Sequence, residues 1–124
     1  MIDPVNLAEK FARIDEYWSP RIAGELNGNV IKLAKIKGEF VWHHHANEDE
    51  MFLVVQGQMV MRLREGEQVH ERVVQAGEFI IIPRGVEHCP TAAGECHIML
   101  FEPQGTLNTG NVQNERTVTD EQRI

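Results

Sequence analysis

Two histidines one residue apart, His43 and His45, stand just before Glu50, and a third, His88, lies in a separate downstream segment. Neutral imidazoles and a carboxylate together make a ligand set for one divalent transition-metal ion, and mixed nitrogen and oxygen donors suit Fe, Mn, Ni, Co or Zn. On a strand, side chains two positions apart share a face and lie about 6.6–6.8 Å apart. His43 and His45 can then converge on one ion through bonds of roughly 2.0–2.1 Å, while His44 points to the opposite face. Ala46 to Asp49 reads as a tight loop and Glu50 as the first residue of the next strand. If that strand pairs with the first, the Glu50 carboxylate reaches the same ion. Parity then turns Phe52 and Val54 inward and leaves Asp49 and Met51 facing away. Pro83 and Gly85 make the turn that leads into His88. Four protein ligands leave open positions on a six-coordinate ion, which is the condition for catalysis there. Glu50 is also the one candidate catalytic residue, able to leave the ion and accept a proton.

The elements that must position these groups are short strands. From Val30 to about Glu102 the chain alternates apolar runs with glycine-containing turns. The expected strands are Val30–Lys37, Phe40–His45, Met51–Val55, Met59–Leu63, Val69–Val74, Phe79–Ile82 and, after the Ala93-Gly94-Glu95 turn, His97–Glu102. Met59, Met61 and Leu63 alternate with Val60, Arg62 and Arg64, the period of a half-buried strand. Regular short strands without intervening helical patterns indicate an all-β sandwich or barrel and argue against a parallel α/β sheet. Ahead of them, Asp3-Pro4 reads as a helix start, and Leu7, Phe11, Ile14 and Trp18 recur at helical spacing. This predicts an amphipathic helix over residues 4–18, stopped by Pro20. Asn27-Gly28-Asn29 is a turn. Residues 1–28 are thus a helix and turn packed on a barrel spanning 29–103. Residues 104–124 form a polar tail, either extended or disordered, or packed along the barrel or a partner subunit.

Length and composition set limits on this reading. A chain of 124 residues fits one domain, and 42% hydrophobic residues is an ordinary globular value. The net charge of -7, with no Lys/Arg block, argues against nucleic-acid binding. No apolar run approaches the length of a membrane span, and the mixed charges of residues 1–20 do not read as a secretion signal, so a cytoplasmic location is expected. Cys89 and Cys96 are too few for a disulfide framework and read as buried thiols.

The segments Gly38–Gly57 and Gly77–Ala92 resemble the two signature motifs of the cupin superfamily. Gly38, His43, His45, Glu50 and Gly57 match the first, with Gly38 one residue closer to the first histidine than usual. Gly77, Pro83, Gly85 and His88 match the second at the family spacing, and Ala92 stands where the family has asparagine. In motif the chain is also similar to the mannose-6-phosphate isomerase-like group. The resemblance spans roughly residues 30–102. It implies a single jelly-roll barrel with the ion inside, and a homodimer formed by strand or arm exchange.

Two functions follow from this. One is a metal-dependent enzyme of oxygenase or isomerase type acting on a small organic molecule. The alternative is a non-catalytic module that captures a small metabolite with the metal as anchor. His70 reads as solvated, Trp42 as packing that faces away from the ion, and His97 as packing or support rather than a ligand. Arg84 and Glu87 lie near the mouth of the site, where Arg84 can hold a carboxylate.

Overall fold

A computed structural model describes residues 2–124. After helix α1 (Leu7–Ala12) come seven strands: β1 (Arg21–Leu26), β2 (Asn29–Glu39), β3 (Glu50–Gln56), β4 (Gln58–Glu65), β5 (Gln68–Gln75), β6 (Phe79–Ile82) and β7 (Glu87–Pro103). All named strand pairs are antiparallel. The long strand β7 organises the barrel. It pairs with β2 from Thr91 to Pro103, apart from one register break, while on its other side its first half pairs with β4 and its second half with β3. The path β1-β2-β7-β3-β6 makes one wall and β7-β4-β5 the other.

The expected split at Ala93-Gly94-Glu95 is instead a register break within β7. Ile36 faces Cys96 and Gly38 faces Ala92, so three exposed residues loop out while the strand continues. A bulge of this kind bends a strand from one wall to the other. Gly57 passes the bend closely. A Cβ there would sit 2.9 Å from the Glu95 carbonyl oxygen, and its φ of +90° suits glycine.

Strand β1 was not anticipated, because Arg21–Leu26 has no clear alternation. It forms because Asn27 (φ 52°) and Gly28 (φ 77°) both adopt positive φ, the geometry of a two-residue hairpin turn, and fold it onto β2. The helix is shorter than its apolar spacing suggests. Asn6, not Asp3, caps it by accepting from the Glu9 N–H at 2.9 Å, and it ends at Arg13. Phe11 and Ile14 bury against Leu33 on the outer face of β2. Trp18 leaves that face altogether. Its backbone N–H donates to the Lys35 carbonyl and its indole N–H to that of Lys37, both at 2.9 Å, and the ring stacks on Phe40 with centroids 4.6 Å apart. These three contacts hold Trp18 at the barrel mouth despite a φ of 60°.

The barrel interior follows strand parity. Ala34, Ile36, Phe52, Val54, Met59, Met61, Ile98 and Leu100 form its apolar core. Cys89 and Cys96 are free buried thiols, each pushed up to about 11, first by burial. Residues 104–124 pack along the barrel. Thr106 and Thr109 are buried, and the end of the tail pairs with β1 through Ile22 N–H to Gln122 O (2.8 Å) and Ile124 N–H to Ile22 O (3.0 Å). Among the described residues, no helix is long and apolar enough to cross a membrane.

Candidate metal centre

The structure brings all four predicted ligands to one point. One donor atom from each of His43, His45, Glu50 and His88 lies within 4.8 Å of the others, and all four residues are buried. The route differs from the one expected. Phe40–His45 is not a strand. It is joined to β7 by a bridge in which His43 and His88 exchange backbone hydrogen bonds of 3.0 and 2.9 Å, and by Phe40 N–H to Pro90 O at 3.1 Å. Nor does β3 pair with that segment: Glu50 opens β3 opposite Ile82 of β6. The turn at Pro83 closes through Val86 N–H to Pro83 O (3.2 Å), and the Gly85 N–H donates to the His45 carbonyl at 2.8 Å. One turn therefore carries the chain to His88 and also ties down His45. Phe52 and Val54 are buried, while Met51 and Asp49 face away.

Hydrogen bonding prepares the imidazoles for a cation. Nδ1 of His43 lies 2.9 Å from the Val41 carbonyl, and Nδ1 of His88 lies 2.9 Å from that of Val86. A carbonyl accepts only, so each Nδ1 carries the proton and each Nε2 presents a lone pair. The His45 Nε2 is buried without a hydrogen-bond partner, 3.4 Å from Glu50 Oε1, and His88 Nε2 is 3.3 Å from the same oxygen. Three inward imidazoles, an orphaned buried nitrogen and a carboxylate form a donor set that could hold a transition-metal ion.

Burial and the facing His88 push His43 down to about 4 from 6.5, so it stays neutral where an ordinary imidazole is protonated. The sign of the stability effect follows. Between pH 6.5 and 4 the unfolded chain takes up a proton that the folded chain refuses, so stability falls as pH falls. This accounts for up to roughly 3 kcal/mol at this one group. The melting temperature of metal-free protein should fall across that window, and His43→Gln should flatten the fall. Parallel curves for the two proteins would rule it out. The comparison with His43→Gln is needed because raised buried carboxyls nearby contribute the opposite slope.

Those carboxyls were missed from sequence. Lys32 and Glu102 are each 2% exposed, and the Lys32 ammonium lies 2.7 Å from Glu102 Oε2, 2.6 Å from Glu121 Oε1 and 3.0 Å from the Thr106 carbonyl. Burial pushes the ammonium down, but the two carboxylates outweigh it and the net shift is upward. Burial, then hydrogen bonding and charge from Glu50, hold Glu102 well above the carboxylate range. Burial also pushes Glu50 up, yet the polar neighbours Glu102, His45 and His88 outweigh it, and the carboxyl sits well below that range. The two neighbouring carboxyls thus shift in opposite directions, Glu50 down and Glu102 up. The signal was parity. Lys32 shares its parity with Val30, Ala34 and Ile36, and Glu102 with Ile98 and Leu100, so both fall on the inward face.

A cavity of about 40 Å³ adjoins the ligands, walled by Ala34, Ile36, Phe40, Phe52, Ile98 and Leu100, with Lys32, Glu50 and Glu102 at one end. Asn108 from the tail and Trp18 also line it.

Residues 30–102 match the cupin domain family model. The chain belongs to the cupin family. This cupin resembles a cupin-2 domain containing protein from Shewanella frigidimarina, with 44% identity and a TM-score of 0.76, over 81% of this chain and 94% of that one. It is 34% identical over 64 residues to protein YdbB of Bacillus subtilis (strain 168), which covers 52% of this chain and 54% of that protein. The cupin chain therefore matches about half the length of that curated relative. Hydroquinone 1,2-dioxygenase from Sphingomonas sp. TTNP3 shares the fold, with a TM-score of 0.72 at 16% identity, over 81% of this chain and 32% of that one.

The other sequence-predicted groups lie apart from the centre. His97 packs on Phe11 (centroids 4.7 Å apart), with Nε2 2.7 Å from Glu95. Trp42 is covered by Arg64 at 4.3 Å and Arg62 at 5.3 Å. Arg84 pairs with Asp49, its backbone N–H donating to Oδ1 at 2.9 Å and its guanidinium lying 3.3 Å from the same oxygen, with both side chains more than half exposed. Glu87 pairs with Arg64 at 2.7 Å. His70 is half-buried, opposite Leu63.

Proposed function

We propose that this cupin binds one divalent transition-metal ion through His43, His45, Glu50 and His88, and that it is a metal-dependent enzyme, of oxygenase or isomerase type, acting on a small organic molecule. The observation that carries the reading is the convergence of three inward imidazoles and one carboxylate on a point within 4.8 Å, one imidazole nitrogen having no other partner. Such an ion, when bound, supplies Lewis acidity or, if redox-active, single-electron chemistry.

The protein's own residues supply the rest. The apolar walls from Phe40, Phe52, Ile98 and Leu100 lower the local dielectric and strengthen charge interactions inside. Glu50, whose carboxyl is held low, is the group that accepts a proton, at the end of the cavity it shares with Glu102 and Lys32. At about 40 Å³, the cavity admits two or three waters or a ligand of a few heavy atoms. A benzene ring occupies one of roughly 150 Å³. Glu50 and Glu102 also line an open cleft of about 350 Å³ with Asn47, Asp49, Arg84 and Phe101, which has room for a ring-sized molecule.

The test is turnover of small diols, keto acids and sugars by protein stripped of metal and reloaded with one ion at a time. Activity lost on chelation and restored by one metal is expected. Metal-dependent thermal stabilisation by a ligand, without turnover, would replace the enzyme with the metabolite-binding alternative. A homodimer is part of the proposal. The edge strand β6 leaves Phe79 and Ile81 60% and 55% exposed, an apolar edge that a second copy would cover.

A further inference from the structure

We infer that Gly110 and Asn111 of the C-terminal tail are positioning residues of the metal centre, locking the peptide groups of His44 so that His43 and His45 keep their convergent geometry. The inference rests on the metal-centre reading above. The ligand-bearing segment Phe40–His45 lies outside any strand, so its backbone has few regular partners. Phe40 donates to the Pro90 carbonyl, His43 exchanges bonds with His88, and the His45 carbonyl accepts from Gly85. His44, between the two ligands, is bonded by the tail. Its N–H donates to Asn111 Oδ1 at 2.9 Å, and its carbonyl accepts from the Asn111 N–H at 3.1 Å.

Gly110 lets the tail come this close. A Cβ there would lie 2.3 Å from the His44 carbonyl oxygen and 3.0 Å from Cδ2 of the His43 ring, and the residue has a φ of +54°. No other side chain fits without displacing the ligand-bearing backbone. The tail is also built to hold its shape. Thr109 is fully buried, with its hydroxyl 2.6 Å from that of Thr117. Asn108 donates to the Arg116 carbonyl at 2.7 Å and accepts from the Val118 N–H at 2.9 Å. A preformed loop thus presents one donor and one acceptor to the peptide joining two ligands. Groups that orient metal ligands from outside the coordination sphere typically contribute 10- to 100-fold to affinity.

The experiment is titration of metal-free protein with Co²⁺ against a competing chelator, following the visible Co²⁺ absorption that reports ligand geometry. Asn111→Ala should bind about tenfold more weakly, at the lower end of that range, with shifted absorption bands. Asn111→Asp keeps the acceptor oxygen and should restore both. Gly110→Ala should weaken binding independently of Asn111. Arg123→Ala, which removes the tail's ion pair with Glu25, should change neither readout. Melting temperatures of the metal-free variants separate loss of fold from loss of positioning. Asn111→Ala and Gly110→Ala proteins with the parent's Co²⁺ affinity and spectrum would overturn the inference. A parent that takes up no Co²⁺ would overturn the metal-centre reading, and this inference with it.

Discussion

Replacing His88 with alanine should lower affinity for a divalent transition metal by more than about 100-fold, beyond the range for residues that merely orient ligands. His88 is fully buried, its Nδ1 is committed to the Val86 carbonyl, and its Nε2 lies 3.3 Å from Glu50. Its lone pair therefore has no role in the fold other than to face the other donors. His44 offers the matched control. It sits between two ligands in sequence, yet the tail engages it through its backbone, so His44→Ala should leave metal affinity unchanged. Competition titration of the two variants reads both effects. Equal losses for the two would mean that the imidazoles are not divided into inward and outward sets as the structure has them.

Lys32→Met should produce the largest loss of stability of any single change considered. Its ammonium bridges two carboxylates and a carbonyl inside the protein. Removing one partner of a buried ionic group leaves the others uncompensated, at about 3–5 kcal/mol. For a chain of this size that is a fall in melting temperature of roughly 10–20 °C. The deficit should shrink at lower pH. Without the ammonium, Glu102 and Glu121 are held further above their unfolded values, so the folded state retains protons that the unfolded state loses. Stability of the variant therefore rises as pH falls toward 4.5, and its gap from the parent should be wider at pH 8 than at pH 5. A variant that melts with the parent at pH 8 would show that the triad carries no net attraction.

Parity read the strands well because the barrel interior is dry. Wherever one face is buried, a one-residue slip would move every apolar side chain into water. Glu50, Phe52 and Val54 thus fell where alternation put them, and Phe79–Ile82 is β6 with its predicted limits. Parity also carried Lys32 and Glu102, but their charge suggested surface, and the pairing that makes them tolerable inside spans β2, β7 and the tail. Two features had no local signal. Phe40–His45 looks like a strand, and its conformation is set instead by His88, Gly85 and Asn111, all distant in sequence. Residues 104–124 lack apolar periodicity. They are ordered by side-chain and backbone hydrogen bonds, among them those of Asn108, Thr109 and Asn111, which a hydrophobicity pattern does not register.

The central claim is that His43, His45, Glu50 and His88 together hold one metal ion. Its most direct test is elemental analysis of protein purified without a metal-affinity column, joined to anomalous diffraction from the same preparation. One transition-metal ion per chain, with its anomalous peak between the three imidazoles and the Glu50 carboxylate, is the predicted result. Metal-free protein that also refuses added Fe, Mn, Ni, Co and Zn, or a peak elsewhere on the molecule, would contradict it.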